Sequence, residues 1–72
     1  MKTIHINTPF ITLGQLLKYA GIIQSGGDAK VFLANNRITL NGTKENRRGK
    51  KIYPGDVVEI GNNITLTVAN KE

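Results

Sequence analysis

Residues 37–60 read RITLNGTKENRRGKKIYPGDVVEI, and this stretch decides the fold. Ile38 and Leu40 alternate with polar neighbours, a period of two that predicts a strand with one apolar face. Asn41-Gly42 is the strongest short hairpin signal in the chain. Thr43 to Glu45 begins the return strand. Asn46-Arg47-Arg48-Gly49 has no apolar side chain and reads as an exposed loop. Ile52-Tyr53 is a short apolar element. Pro54-Gly55-Asp56 is a tight turn with proline preset for its first corner. Val57-Val58-Glu59-Ile60 is a strand, Gly61-Asn62-Asn63 a further turn, and Ile64, Leu66 and Val68 alternate in a last strand. Asn70-Lys71-Glu72 is expected to fray.

Upstream of residue 37 the apolar period is helical. Thr12-Leu13-Gly14-Gln15 fits a capping box, with Thr12 at N-cap and Gln15 at N3, and Ile11 with Leu16 can form a hydrophobic staple. Leu13, Leu16, Leu17 and Ala20 then form one stripe, and Gly21 stops the helix. Ser25-Gly26-Gly27-Asp28 starts a second helix, Ser25 as N-cap and Asp28 complementing the dipole. Ala29, Phe32 and Leu33 share its apolar face. Asn35-Asn36 ends it, since asparagine tolerates the left-handed conformation. Before both helices, Thr3-Ile4-His5-Ile6-Asn7 alternates as a short strand, which Thr8-Pro9 ends. The order is β, α, α, then four or five short strands. It predicts an α+β domain with two short helices packed on a small antiparallel sheet.

At 72 residues the chain is expected to be a single domain over 1–72. It has no cysteine, which excludes disulfides, thiolate metal sites and thiol catalysis. One histidine and five acids argue against a metal site, and no cofactor motif is present. No apolar run approaches the ~18–20 residues of a membrane span, and the N-terminus lacks a signal-peptide core. The expectation is a soluble, cytoplasmic monomer without membrane contact.

The charge is concentrated. Arg37, Lys44, Arg47, Arg48, Lys50 and Lys51 oppose Glu45 alone, while elsewhere four lysines balance four acids. The net charge of +5 therefore belongs to residues 37–51. Such clustering is the electrostatic footprint of a polyanion binder. Arginine can grip phosphate oxygens bidentately, and lysine acts as a point charge. Gly26-Gly27 leaves bare N–H groups that a phosphate could approach, or merely eases a sharp turn. Lys30 stands one turn further along. Tyr53 could stack on an exposed base or pack its ring on the core edge. Phe10 and Phe32 read as core, and Tyr19 is undecided. His5 has no neighbouring acid or cysteine and reads as structural. The sequons at Asn41 and Asn63 read as chance matches.

Two short helices, then Ile38-Thr39-Leu40-Asn41-Gly42, a basic loop and Tyr53-Pro54-Gly55-Asp56-Val57-Val58, resemble the S-four RNA-binding domain, which carries the alpha-L motif. The resemblance covers about residues 12 to 60. Gly26-Gly27-Asp28-Ala29-Lys30 together with Arg47-Arg48-Gly49-Lys50-Lys51 looks most like the small stand-alone, YaaA-like bacterial members. The resemblance implies association with ribosomes, ribosomal RNA as partner, and a role in large-subunit assembly. It implies that the second helix and the following hairpin face RNA through Ser25, Gly26, Gly27, Lys30, Arg37, Lys44, Arg47, Arg48, Lys50 and Lys51. Many members carry arginine where Thr12 and Gly26 stand here, which shifts the load towards residues 44–51.

A β-grasp carrier is the rival reading, because short strands, an Asn-Gly hairpin and a Pro-Gly-Asp turn also occur there. Those carriers end in Gly-Gly, whereas this sequence ends Ala69-Asn70-Lys71-Glu72. An enzyme is disfavoured, since no nucleophile, paired acids or metal cluster is visible.

Overall fold

The computed structural model describes residues 1–71; Glu72, placed above in a frayed end, lies outside the described residues. The elements follow the chain as β1 (Lys2–Ile6), β2 (Ile11–Thr12), α1 (Leu13–Tyr19), α2 (Gly26–Asn35), β3 (Ile38–Leu40), β4 (Thr43–Lys44), β5 (Lys51–Ile52), β6 (Val57–Ile60) and β7 (Ile64–Asn70). The main sheet has the order β1-β7-β6-β3-β4, and β2 pairs with β5 in a separate two-stranded sheet. The fold is α+β, with two helices packed on the main sheet.

The sheet is mixed rather than antiparallel throughout. β1 runs parallel to β7, with Ile4 opposite Val68. A hairpin forces its two strands antiparallel. No hairpin joins β1 to β7, because both helices and the whole meander lie between them. The same pairing holds Asn70 and Lys71, against the fraying expected of them. Asn70 belongs to β7, and Lys71 N–H donates to the Ile6 carbonyl at 2.6 Å.

One face of the sheet is apolar. Ile4, Ile6, Ile38, Val58, Ile60, Leu66 and Val68 are buried there with Leu13, Leu16 and Leu17 of α1 and Ala29 and Leu33 of α2. The opposite face carries residues such as Thr39 and Glu59, joined by a 3.3 Å hydrogen bond in the exposed layer. One wet face is what an antiparallel meander tolerates.

The caps of α1 follow the sequence closely. Thr12 Oγ1 accepts from Gln15 N–H at 3.2 Å, and Gln15 Oε1 accepts from Thr12 N–H at 2.9 Å, completing the capping box. Gly21 adopts φ +77°. Its N–H donates to Lys18, and Ile22 N–H reaches back to Leu17. Those two bonds form a Schellman motif. Lys2 Nζ donates to the Ala20 carbonyl at 3.1 Å, placing a cation at the negative end of the helix.

α2 is capped differently from expectation. Ser25 occupies the N-cap but its side chain makes no capping bond. Asn36 is extended, at φ −134°, not left-handed. The Asn35 and Asn36 side-chain amides instead donate to the Val31 and Phe32 carbonyls, each at 2.9 Å. The Asn36 bond serves a carbonyl of the last turn, which a helix end leaves unpaired.

Asn41 and Gly42 are both left-handed, at φ 52° and 88°, as a type I′ hairpin requires. The Asn41 side chain reaches further. Its Nδ2 donates to Asp56 Oδ1 at 3.0 Å, and its Oδ1 accepts from Val57 N–H at 2.8 Å. Asp56 Oδ2 accepts from Tyr53 N–H at 2.8 Å, and Gly55 at φ +96° completes the turn. The hairpin tip and the Pro54-Gly55 turn therefore brace one another.

Candidate nucleic-acid interface

A loop of four polar residues with two adjacent arginines has no apolar anchor of its own. Backbone bonds supply the anchor. The first N–H groups of a helix have no partner inside the helix, and the capping box leaves those of Leu13 and Gly14 open. They donate to the carbonyls of Lys50, at 2.8 Å, and Arg48, at 2.9 Å. The β2–β5 pairing, Ile11 with Ile52 and Thr12 with Lys51, continues the contact. A Cβ on Gly14 would meet Arg48 and Ala29 at 3.5–3.6 Å, so helix and loop run in van der Waals contact. The basic loop is thus docked across the start of α1.

Its other end is held by Glu45. The carboxylate of Glu45, 10% exposed, receives Arg47 Nε at 2.9 Å and a second guanidinium nitrogen at 3.2 Å. It also accepts from the backbone N–H groups of Arg47 and Asn46 at 3.0 and 3.2 Å. The Arg47 guanidinium bonds, opposed by burial and helped by the Arg47 N–H, the Arg47 charge and the Asn46 N–H, pull the Glu45 pKa from 4.5 to about 2. The carboxylate in turn raises the Arg47 pKa, by the same hydrogen bond.

A group with a depressed folded pKa stabilises the fold above its unfolded value and loses that effect as pH falls through its folded one. The Glu45 contribution is therefore complete above about 4.5 and vanishes between about 4.5 and about 2. The protection of the Asn46 and Arg47 amides, taken relative to their intrinsic exchange rates at each pH, should hold from neutral pH to 4.5 and be lost as the pH falls from there towards 2. Glu45→Gln should lower that protection at neutral pH. A Glu45 carboxyl titrating at its ordinary value by NMR would contradict the arrangement.

The cations distribute over three depressions. A groove of about 860 Å³ between α2 and the β3–β4 hairpin is lined by Lys30, Arg37, Lys44 and Arg48, with Asn36 and Glu45 in its wall. A recess of about 320 Å³ joins Gly26 and Arg48 to Thr12, Gly14, Gln15 and Lys18. Arg48 borders both and reaches the Gly26 carbonyl at 3.4 Å. A third depression, of about 430 Å³, is lined by Arg47, Gly49, Lys50, Lys51 and Tyr53. Ser25 and Gly27 are exposed at the start of α2 and line none of the three.

The ten residues singled out from the sequence thus do not form one patch. Lys30, Arg37, Lys44 and Arg48 converge on the groove. Arg47, Lys50 and Lys51 turn to the third depression, and Glu45 occupies the fork of Arg47 that was expected to face phosphate. Phe10 is outside the core cluster and half-buried, with its ring 5.5 Å from that of Tyr53 and its face 4.9 Å from Lys51 Nζ. Sequence reasoning missed Glu45 as the loop's organiser. The signal was one acid isolated among six cations. Among the described residues no cluster of three or more His, Asp or Glu side chains could hold a metal, and no helix is long and apolar enough to cross a membrane.

Comparison with known proteins agrees with this architecture. A protein of Bacillus subtilis (strain 168) named "Probable ribosome maturation protein RlbA" is 58% identical over 57 residues, covering 79% of this chain and 80% of that protein. The Escherichia coli (strain K12) "Putative RNA-binding protein YbcJ" is 33% identical over 61 residues, covering 85% of this chain and 87% of that protein. The S4 domain family model matches residues 4–69, which take in the sheet, both helices and the basic groove, and the chain belongs to the S4 domain family.

Proposed function

We propose that the chain binds structured RNA through the groove between α2 and the β3–β4 hairpin, and that the RNA is ribosomal. The observation that carries this reading is the convergence of Lys30, Arg37, Lys44 and Arg48 on one groove beside a docked loop. A-form RNA hides its base edges in a deep, narrow groove, so proteins read its shape and phosphates. Four cations at fixed spacing suit that task. Similarity to a protein named for ribosome maturation supports a role in ribosome assembly, which we place at the large subunit. The module acts as a cytoplasmic monomer without catalysis of its own.

With about four phosphates engaged, affinity for a ribosomal RNA hairpin should fall about 50- to 150-fold between 50 and 200 mM salt. A flat salt response would sink the proposal. Crosslinking in cells followed by sequencing should enrich one helix of large-subunit RNA. A random RNA profile would leave only non-specific binding.

A further inference from the structure

The third depression has a composition unlike the groove. Its wall holds Arg47, Lys50 and Lys51, no acid, and one aromatic ring. Tyr53 is 47% exposed, a large apolar area to leave in water. Its backbone is rigid: its N–H donates to Asp56 Oδ2 at 2.8 Å, and its carbonyl accepts from Asp56 N–H at 2.9 Å. Pro54 restricts it further. Phe10 lies against it, with ring centres 5.5 Å apart and planes tilted by 47°. Lys51 Nζ sits over the Phe10 ring, so the open aromatic surface belongs to Tyr53. An aromatic ring held on fixed backbone beside exposed cations is the chemistry that stacks one base and neutralises its phosphate.

We propose that Tyr53, braced by Phe10, is a stacking platform for a single unpaired nucleotide flanking the RNA helix, with Lys50 and Lys51 taking its phosphate. The inference rests on the RNA-binding reading above and adds a second class of recognition to it. The loop carrying Arg47 and Arg48 separates the groove from this depression, so one RNA could engage both where paired structure gives way to a single strand. Stacking requires an unstacked base, which the interior of a duplex does not present. The module would thereby favour a helix end or a bulge over a continuous helix.

The test uses two hairpin RNAs with the same stem, one blunt and one with a two-nucleotide single-stranded tail carrying 2-aminopurine. The wild-type protein should bind the tailed RNA roughly five- to 150-fold more tightly and quench the 2-aminopurine. Tyr53→Ala should remove that preference and the quenching while binding the blunt hairpin as before. Tyr53→Trp should retain both. Equal wild-type affinity for the two RNAs, or an unquenched tail, would overturn the platform while leaving the groove intact. Those wild-type measurements decide the matter even if Tyr53→Ala fails to fold. Loss of both RNAs by folded Tyr53→Ala would also refute it, by making Tyr53 part of general binding. Retention of neither RNA by the wild-type protein would remove the RNA reading and this inference together.

Discussion

Reversing Arg37, Lys44 and Arg48 together to glutamate should abolish RNA retention while leaving the fold in place. All three side chains are exposed and line the same groove. In a water-like dielectric each reversal exchanges about 1 kcal/mol of attraction at contact distance for a similar repulsion. Screening at 0.1 M salt reduces this, and the three together should still cost about 100-fold or more in affinity. The salt dependence should flatten in parallel, because three of the four counterion-releasing contacts are gone. The bonds that dock the loop use the Arg48 and Lys50 carbonyls, not their side chains. The variant should therefore melt near the wild-type temperature. Filter binding and circular dichroism on the same preparation check both halves. Undiminished binding would move the interface off the groove. The matching reversal of Arg47 alone should cost much less, since Glu45 already occupies its guanidinium.

The largest stability effect is expected at Ile52. Its side chain is fully buried, and its strand pairs with Ile11 at the start of α1. Ile52→Ala removes packing at the joint between helix, loop and sheet, and such truncations cost about 2–5 kcal/mol. A chain of this size has roughly 4–11 kcal/mol of total stability, and it has no disulfide in reserve. At about 4–8 °C per kcal/mol the melting temperature should fall by roughly 8–40 °C. Ile64→Ala is the control: Ile64 is 40% exposed on the last strand, and its truncation should cost under about 1 kcal/mol. Similar losses at the two sites would contradict the burial pattern.

Much of the fold was legible because it is written locally. The Thr12–Gln15 box, the Gly21 stop, the Asn41-Gly42 hairpin and the Pro54-Gly55 turn each depend on a few consecutive residues whose backbone preferences agree. The period of two marked Ile38, Leu66 and Val68 as core-facing, although Ile64 in the same alternation is exposed. The concentration of charge in residues 37–51 was equally plain.

Three features depended on distance in space. The parallel β1–β7 pairing joins the two ends of the chain, and no local signal carries strand direction across sixty residues. β2 and β5 are two residues each, too short to show a period, and exist because α1 begins where the basic loop ends. Phe10 looked like core because it is apolar, yet it lies half-buried as backing for Tyr53.

The division is clearest at the site. Residue types and order were enough to determine an α+β module with a basic loop, because capping, turn chemistry and net charge are short-range or additive properties. Which cations share a groove was decided only by tertiary structure. Lys30 and Arg48 stand eighteen positions apart and meet because α1 donates two N–H groups to the loop. Arg47 and Arg48 are neighbours in sequence and part company because one carboxylate, nearly buried in the fold, takes Arg47 for itself.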